Sequence, residues 1–175
     1  MDDKILEVFE CYKDMVFRLA LSYTKCIADA EDISQTVFIR LFENYAKIEP
    51  GKEKAWLLTV TANQSKNLLK SFWRKKTEPL EDIYSFEYPE QSSVFVHVME
   101  LKPKYRVIVY LHYYEGYGSK EIAKILGITQ SAATTRLQRA RRILRIRLEE
   151  ERDGEFVQAK YGSSENVSGM CKENP

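Results

Sequence analysis

Apolar residues recur at three- and four-residue steps through most of the chain, and no segment reads as a strand. Residues 4–25 place Ile5, Phe9, Tyr12, Val16, Leu19 and Tyr23 on one stripe, which predicts a long amphipathic helix. After a break near Cys26-Ile27, Asp29-Ala30-Glu31-Asp32 opens a second helix with its acids at the positive end of the helix dipole. Ile33, Val37, Leu41 and Tyr45 form its inner stripe, and Glu31, Asp32, Gln35, Arg40 and Asn44 face outward. Phe38 and Phe42 broaden the apolar arc, either to widen the core or to stay exposed for a partner. The Pro50-Gly51 pair marks residues 47–52 as a loop. A third helix is predicted over 53–75, anchored by Trp56, Leu57, Val60, Leu68, Leu69 and Phe72. Its polar face carries Thr59, Asn63, Lys66, Asn67 and Lys70.

Residues 77–91 break this pattern. They hold two prolines, five acids and no sustained period, the composition of a linker. A fourth helix is predicted over 92–101. A fifth begins at Pro103, where a first-turn proline belongs, and carries Tyr105, Val107, Ile108, Leu111 and Tyr114. The segment from Glu115 to Glu150 then has the order of a helix-turn-helix. Ser119 reads as the cap of a short helix over 120–126, Gly127 as its left-handed stop, and Thr129 as the cap of a second helix. In that second helix Ala133, Leu137, Ala140, Leu144 and Leu148 point inward. Arg136, Arg139, Arg141, Arg142, Arg145 and Arg147 point outward, a surface suited to phosphates and base edges. The expected fold is all-α: two small helical domains over 4–76 and 92–152, a flexible acidic linker over 77–91, and a disordered polar tail over 153–175.

Charge changes the picture only when it is resolved along the chain. The net charge of +1 alone argues against nucleic-acid binding. Residues 96–152, however, hold 12 Lys and Arg against 6 Asp and Glu, whereas residues 76–95 hold 1 against 5. A basic unit beside an acidic segment is the asymmetry expected of a nucleic-acid binder. Cys11, Cys26 and Cys171 are far apart and odd in number, and neither His97 nor His112 completes a metal-ligand set. No metal, cofactor or small-molecule substrate is therefore expected. No nucleophile–base pair or buried carboxylate pair suggests an enzyme. There is no run of eighteen apolar residues, and Met1-Asp2-Asp3 is acidic where a signal peptide is basic, so a cytoplasmic protein is expected.

Together these segments resemble a known family. DAEDISQTVFIRLFEN is similar to region 2 of sigma-70 factors, KAWLLTVTANQSKNLLKSFWRK to that region's promoter-reading helix, and LKPKYRVIVYLHYYEGYGSKEIAKILGITQSAATTRLQRAR to region 4. The acidic linker joins the two with nothing like region 3 between them, the layout of the extracytoplasmic-function (ECF) group. The resemblance implies a transcription initiation factor that directs core RNA polymerase to promoter DNA and has a cognate anti-sigma factor. Glu31, Asp32, Gln35, Phe38, Arg40 and Asn44 would lie on the polymerase-docking helix. Lys52, Asn63, Lys66, Asn67 and Lys70 would serve the minus-ten element, with the loop over 47–54 pocketing a flipped base. Gln130, Ser131, Thr134, Thr135, Arg136 and Arg139 would serve the minus-thirty-five element. Ala133 and Thr134 depart from the Val and basic residue usual there, which leaves Arg136 and Arg139 as the stronger base readers. A short N-terminal helix of some relatives has no counterpart. A free-standing helix-turn-helix regulator is the competing expectation; it gives the amide-bearing third helix and the Phe38 and Phe42 surface no role.

Overall fold

The computed structural model describes the backbone of residues 3–75 and 93–161, and the side chains of residues 3–71 and 94–152. The expected linker over 77–91 lies outside the described residues. The first unit contains α1 (Asp3–Thr24), α2 (Ile27–Asn44), a 3₁₀ turn (Tyr45–Lys47) and α3 (Glu53–Lys75). The second contains α4 (Ser93–Glu100), α5 (Pro103–Val109), a π-helical turn (Tyr110–Tyr114), α6 (Ser119–Leu126) and α7 (Gln130–Tyr161). No strand occurs among the described residues, so the all-α expectation of two helical units holds.

In the first unit Val16 and Leu19 of α1, Val37 and Leu41 of α2, and Leu57 and Leu58 of α3 are fully buried. Thr61 and Ser65 share this core, which the apolar pattern of α3 does not reveal. Each hydroxyl donates to the carbonyl four residues earlier, Thr61 to Leu57 at 2.7 Å and Ser65 to Thr61 at 2.9 Å, so neither is buried unpaired. Trp56, Val60, Leu68 and Leu69 are only half-buried at the margin.

The helix-turn-helix departs from expectation at one end only. Gly118, not Ser119, is the N-cap of α6; Glu121 reaches back to accept from the Gly118 N–H at 2.9 Å. Ser119 is instead the first helical residue. Gly127 closes α6 in the left-handed conformation (φ +63°), and the Ile128 N–H returns to the Ala123 carbonyl at 3.0 Å. The Thr129 hydroxyl accepts from the Ala132 N–H at 3.1 Å and caps α7. At the other end α7 runs to Tyr161, past the boundary drawn at 152; the remainder of the expected tail lies outside the described residues.

The two units are packed together. One continuous core joins Leu19, Ala20 and Tyr23 of α1 and Ala62 of α3 to Val107 and Ile108 of α5, Leu111, and Ile122 and Ile125 of α6. A smaller cluster of Val98, Leu101, Val109 and Ala140 holds α4 and α5 against α7. His97 and Arg147 reinforce it: His97 Nε2 lies 3.1 Å from Glu151 and Arg147 Nη1 2.8 Å from Glu100.

Candidate nucleic-acid interface

At the junction of the two units lies Arg106, 1% exposed, with no acid paired to it among the described residues. A buried guanidinium needs acceptors for its fork of donors. It finds them in helix ends. Nε donates to the Ser22 carbonyl at 2.5 Å and Nη2 to the Tyr23 carbonyl at 3.1 Å, both in the last turn of α1. Nη1 donates to the carbonyls of Met99 at 2.7 Å and Leu101 at 2.9 Å, at the end of α4. The last carbonyls of a helix have no intrahelical partner and sit at the negative pole of its dipole, so two helix ends replace a carboxylate. Burial still lowers the Arg106 pKa to about 10, which leaves the group charged at neutral pH.

Two further contacts cross the junction near its edge. Lys66 of α3 donates from Nζ to the Leu126 carbonyl, the last residue of α6, at 2.7 Å. Burial, then Lys70 and Arg136, lower the Lys66 pKa. Lys54 Nζ lies 3.0 Å from Glu115, whose other carboxylate oxygen accepts from the Tyr110 hydroxyl at 2.8 Å.

The sequence-derived minus-ten residues share the outer side of α3. Asn63, Asn67 and Lys70 are exposed, and Lys66 is half-buried beneath α6. Lys52 stands apart in the loop before α3, where its carbonyl accepts from the Trp56 N–H at 2.9 Å. The minus-thirty-five residues gather in the first turns of α7. Gln130, Ser131 and Arg139 are exposed; Thr134, Thr135 and Arg136 are half-buried. The Thr134 hydroxyl donates to the Gln130 carbonyl at 3.0 Å and so is turned onto the helix backbone. Arg136 faces the junction: Tyr23, whose hydroxyl burial pushes above the usual phenol range, feels its charge in the opposite sense. The remaining arginines divide. Arg141 donates to the Tyr113 hydroxyl at 2.7 Å, Arg145 pairs with Glu149 at 2.9 Å, and Arg147 is held by Glu100.

On α2, Glu31, Asp32, Gln35 and Arg40 are exposed and Asn44 is half-buried, its amide donating to the Arg40 carbonyl at 2.9 Å. The two phenylalanines part company. Phe38 packs edge-on against Phe9 of α1, with ring centroids 4.8 Å apart, while Phe42 is 59% exposed. Sequence reasoning missed Arg106, two of whose four carbonyl partners, Ser22 and Tyr23, lie more than eighty residues away, and an open groove of about 680 Å³ between α4, α5, the π turn and α7. Val94, Val98, Val109, Tyr113, Leu144 and Leu148 line that groove; its walls come from four elements, so no single periodicity marks it. Among the described residues no group of three or more His, Cys, Asp or Glu could hold a metal ion, and no helix is long and apolar enough to cross a membrane.

This arrangement of a three-helix unit with an amide-bearing face and a helix-turn-helix unit coincides with two family models. Sigma-70 region 2 matches residues 8–76, and Sigma-70, region 4 matches residues 98–144. The chain belongs to the sigma-70 family. Its relatives place it in the ECF group. It is 28% identical over 152 residues to the ECF RNA polymerase sigma factor SigE of Mycolicibacterium smegmatis, covering 79% of this chain and 59% of SigE. It is 23% identical over 172 residues to the ECF sigma factor SigW of Bacillus subtilis, covering 83% of this chain and 89% of SigW. The chain thus spans less than two thirds of SigE and most of SigW. The fold is also similar to that of the sigma factor RpoE in its co-crystal structure with the anti-sigma factor NepR from Bartonella quintana. There the TM-score is 0.64 at 20% identity, covering 85% of this chain and 98% of that one. The region 2 match of this sigma-70 chain spans most of α1–α3, and the region 4 match runs from the end of α4 into α7.

Proposed function

We propose that this chain is a cytoplasmic ECF sigma factor that binds core RNA polymerase, carries it to specific promoters and assists in opening them. The observation that carries the reading is the presence of both sigma-70 regions in one chain, in order, each with its polar reading face. In this mechanism the outer face of α2, with Glu31, Asp32, Gln35, Arg40 and Asn44, docks on polymerase, and exposed Phe42 adds apolar contact. Phe38, packed on Phe9, instead supports that face from beneath. Gln130, Ser131, Thr135, Arg136 and Arg139 at the start of α7 enter the major groove of the minus-thirty-five element, where the N-terminal part of a recognition helix reaches base edges. Asn63 and Asn67 offer paired donors and acceptors to bases of the minus-ten element, while Lys52, Lys66 and Lys70 serve its phosphates. Unstacking DNA costs roughly 1–2 kcal/mol per base-pair step, and the contact surface of polymerase offsets it. The chain performs no chemistry of its own; the polymerase does. An anti-sigma factor is the regulatory partner this reading supplies, as NepR is for RpoE in their joint structure.

The test is binding to core polymerase by the wild-type chain and by Asp32→Ala and Gln35→Ala. Both side chains are exposed and away from the Ile33-Val37-Leu41 stripe, so helicity should be unchanged while polymerase affinity falls several-fold. No binding by the wild-type chain removes the reading; equal binding by all three moves the docking surface off this face of α2.

A further inference from the structure

The groove of about 680 Å³ between α4, α5, the π turn and α7 lies apart from both reading faces. Val98 and Val109 are its buried members; Leu144 and Leu148 are half-buried, and Val94 and Tyr113 are exposed. The charged residues that line it are Arg141, Arg145 and Arg152 with one acid, Glu149. That acid already pairs with Arg145 at 2.9 Å, and the Arg141 guanidinium stands over the Tyr113 ring at 5.6 Å from its centroid. An apolar trough with a basic rim suits a segment whose apolar side chains alternate with acids.

One stretch of this chain has that composition and ends at the groove. Residues 76–92 lie outside the described backbone, and α4 begins at Ser93, beside Val94 of the groove wall. Residues 78–90 hold five acids and no Lys or Arg, with Leu80, Ile83, Tyr84, Phe86 and Tyr88 among them. Tyr84, Phe86 and Tyr88 alternate with Ser85 and Glu87, so an extended chain puts three rings on one side. Pro89 favours extended backbone at Tyr88. The reach is sufficient. The seven residues 86–92 span up to ~23 Å when extended, at ~3.3 Å each. The eight residues of α4 rise only ~12 Å, at ~1.5 Å each. The segment can therefore turn back beside α4 and run the length of the groove. Residues 162–175 are a poor match, since they offer only Val167 and Met170 as large apolar side chains.

We infer that residues 80–88 seat in this groove in cis, with their apolar side chains against Val94, Leu144 and Leu148 and their acids toward Arg141, Arg145 and Arg152. A tethered segment meets its groove at an effective concentration in the ~mM range, so modest intrinsic affinity suffices. Seating takes exposed apolar surface out of water, and the charges set which chain fits. Residues 80–88 thereby belong to the helix-turn-helix unit rather than to a free spacer, whether or not the chain binds polymerase.

The test uses the full chain with p-benzoylphenylalanine in place of Phe86, irradiated at low micromolar concentration. Monomer and dimer bands are separated, and the cross-linked peptides are mapped by mass spectrometry. Most cross-links should appear in the monomer band and fall within residues 94–98, 109–114 and 141–152. Leu148→Glu in the same chain should lower that yield several-fold. Arg145→Glu, at an exposed position that cannot unfold the unit, should also lower it, and decides the matter alone if Leu148→Glu loses helicity by circular dichroism. Cross-links confined to α1–α3, no cross-link at the groove, or a yield unchanged by Arg145→Glu overturns the seat. Groove cross-links found only in the dimer band mean that a second copy covers this face, and overturn it equally.

Discussion

Arg106 carries a charge into the protein's interior, where among the described residues four carbonyls accept from it. Replacing it by Met keeps the volume and removes every donor. Four carbonyls at two helix ends are then left facing an apolar chain, and each buried unsatisfied acceptor costs on the order of 1–3 kcal/mol. Arg106→Met should lower stability by at least ~3 kcal/mol, read as a fall in the midpoint of urea denaturation at unchanged slope. Residues on the reading faces should behave in the opposite way, changing selectivity and not stability. Arg139→Ala should relax discrimination at the upstream element by about 1–3 kcal/mol, the worth of a bidentate base contact. Asn63→Ala should do so at the bubble, and Arg145→Ala, already paired with Glu149, should weaken binding slightly and evenly. Transcription from promoters altered in one element at a time separates these outcomes; if Asn63→Ala and Arg139→Ala relax the same element, the division of labour is wrong. What single residues do was only partly legible from the chain. Asn63, Asn67 and Arg139 stood out because exposed polar side chains keep a simple period. Arg106 did not, because nothing in the sequence near it records that its partners are the carbonyls of Ser22 and Tyr23.

At the scale of elements, local signals were strong where one residue does the whole job. Gly127 adopts φ +63°, which an L side chain enters at a cost, and the Thr129 hydroxyl answers an otherwise open N–H of α7. Gly127→Ala and Thr129→Ala should each destabilise region 4 by about 1 kcal/mol, seen as a lower Tm without loss of helix at low temperature. Both residues are recognisable from chemistry alone. The start of α6 was misplaced by one residue because Ser119 is the better cap by type, while the contact that decides the position is the Glu121 carboxylate on the Gly118 N–H. α7 also runs to Tyr161, past the boundary drawn at 152 from polar composition.

For the whole molecule, the pattern of apolar stripes announces how many helices form but not which stripes meet. The stripe of α5 serves α1 as well as its own unit, and the boundary between the two expected domains is crossed by a common core. A protease site introduced between residues 77 and 91 provides the measure. After complete cleavage the two pieces should co-elute in gel filtration as one species of the intact chain's size. Separation into two peaks would mean that the common core does not hold the two units together without the connecting chain.

The apolar character of that junction also gives the protein a thermal response. Parting Leu19, Ala20 and Tyr23 from Val107, Ile108 and Ile122 exposes hydrocarbon to water, so opening carries a positive heat-capacity change. Hydrophobic attachment weakens as water cools. The attachment between the units is therefore strongest at an intermediate temperature and weakens on either side of it.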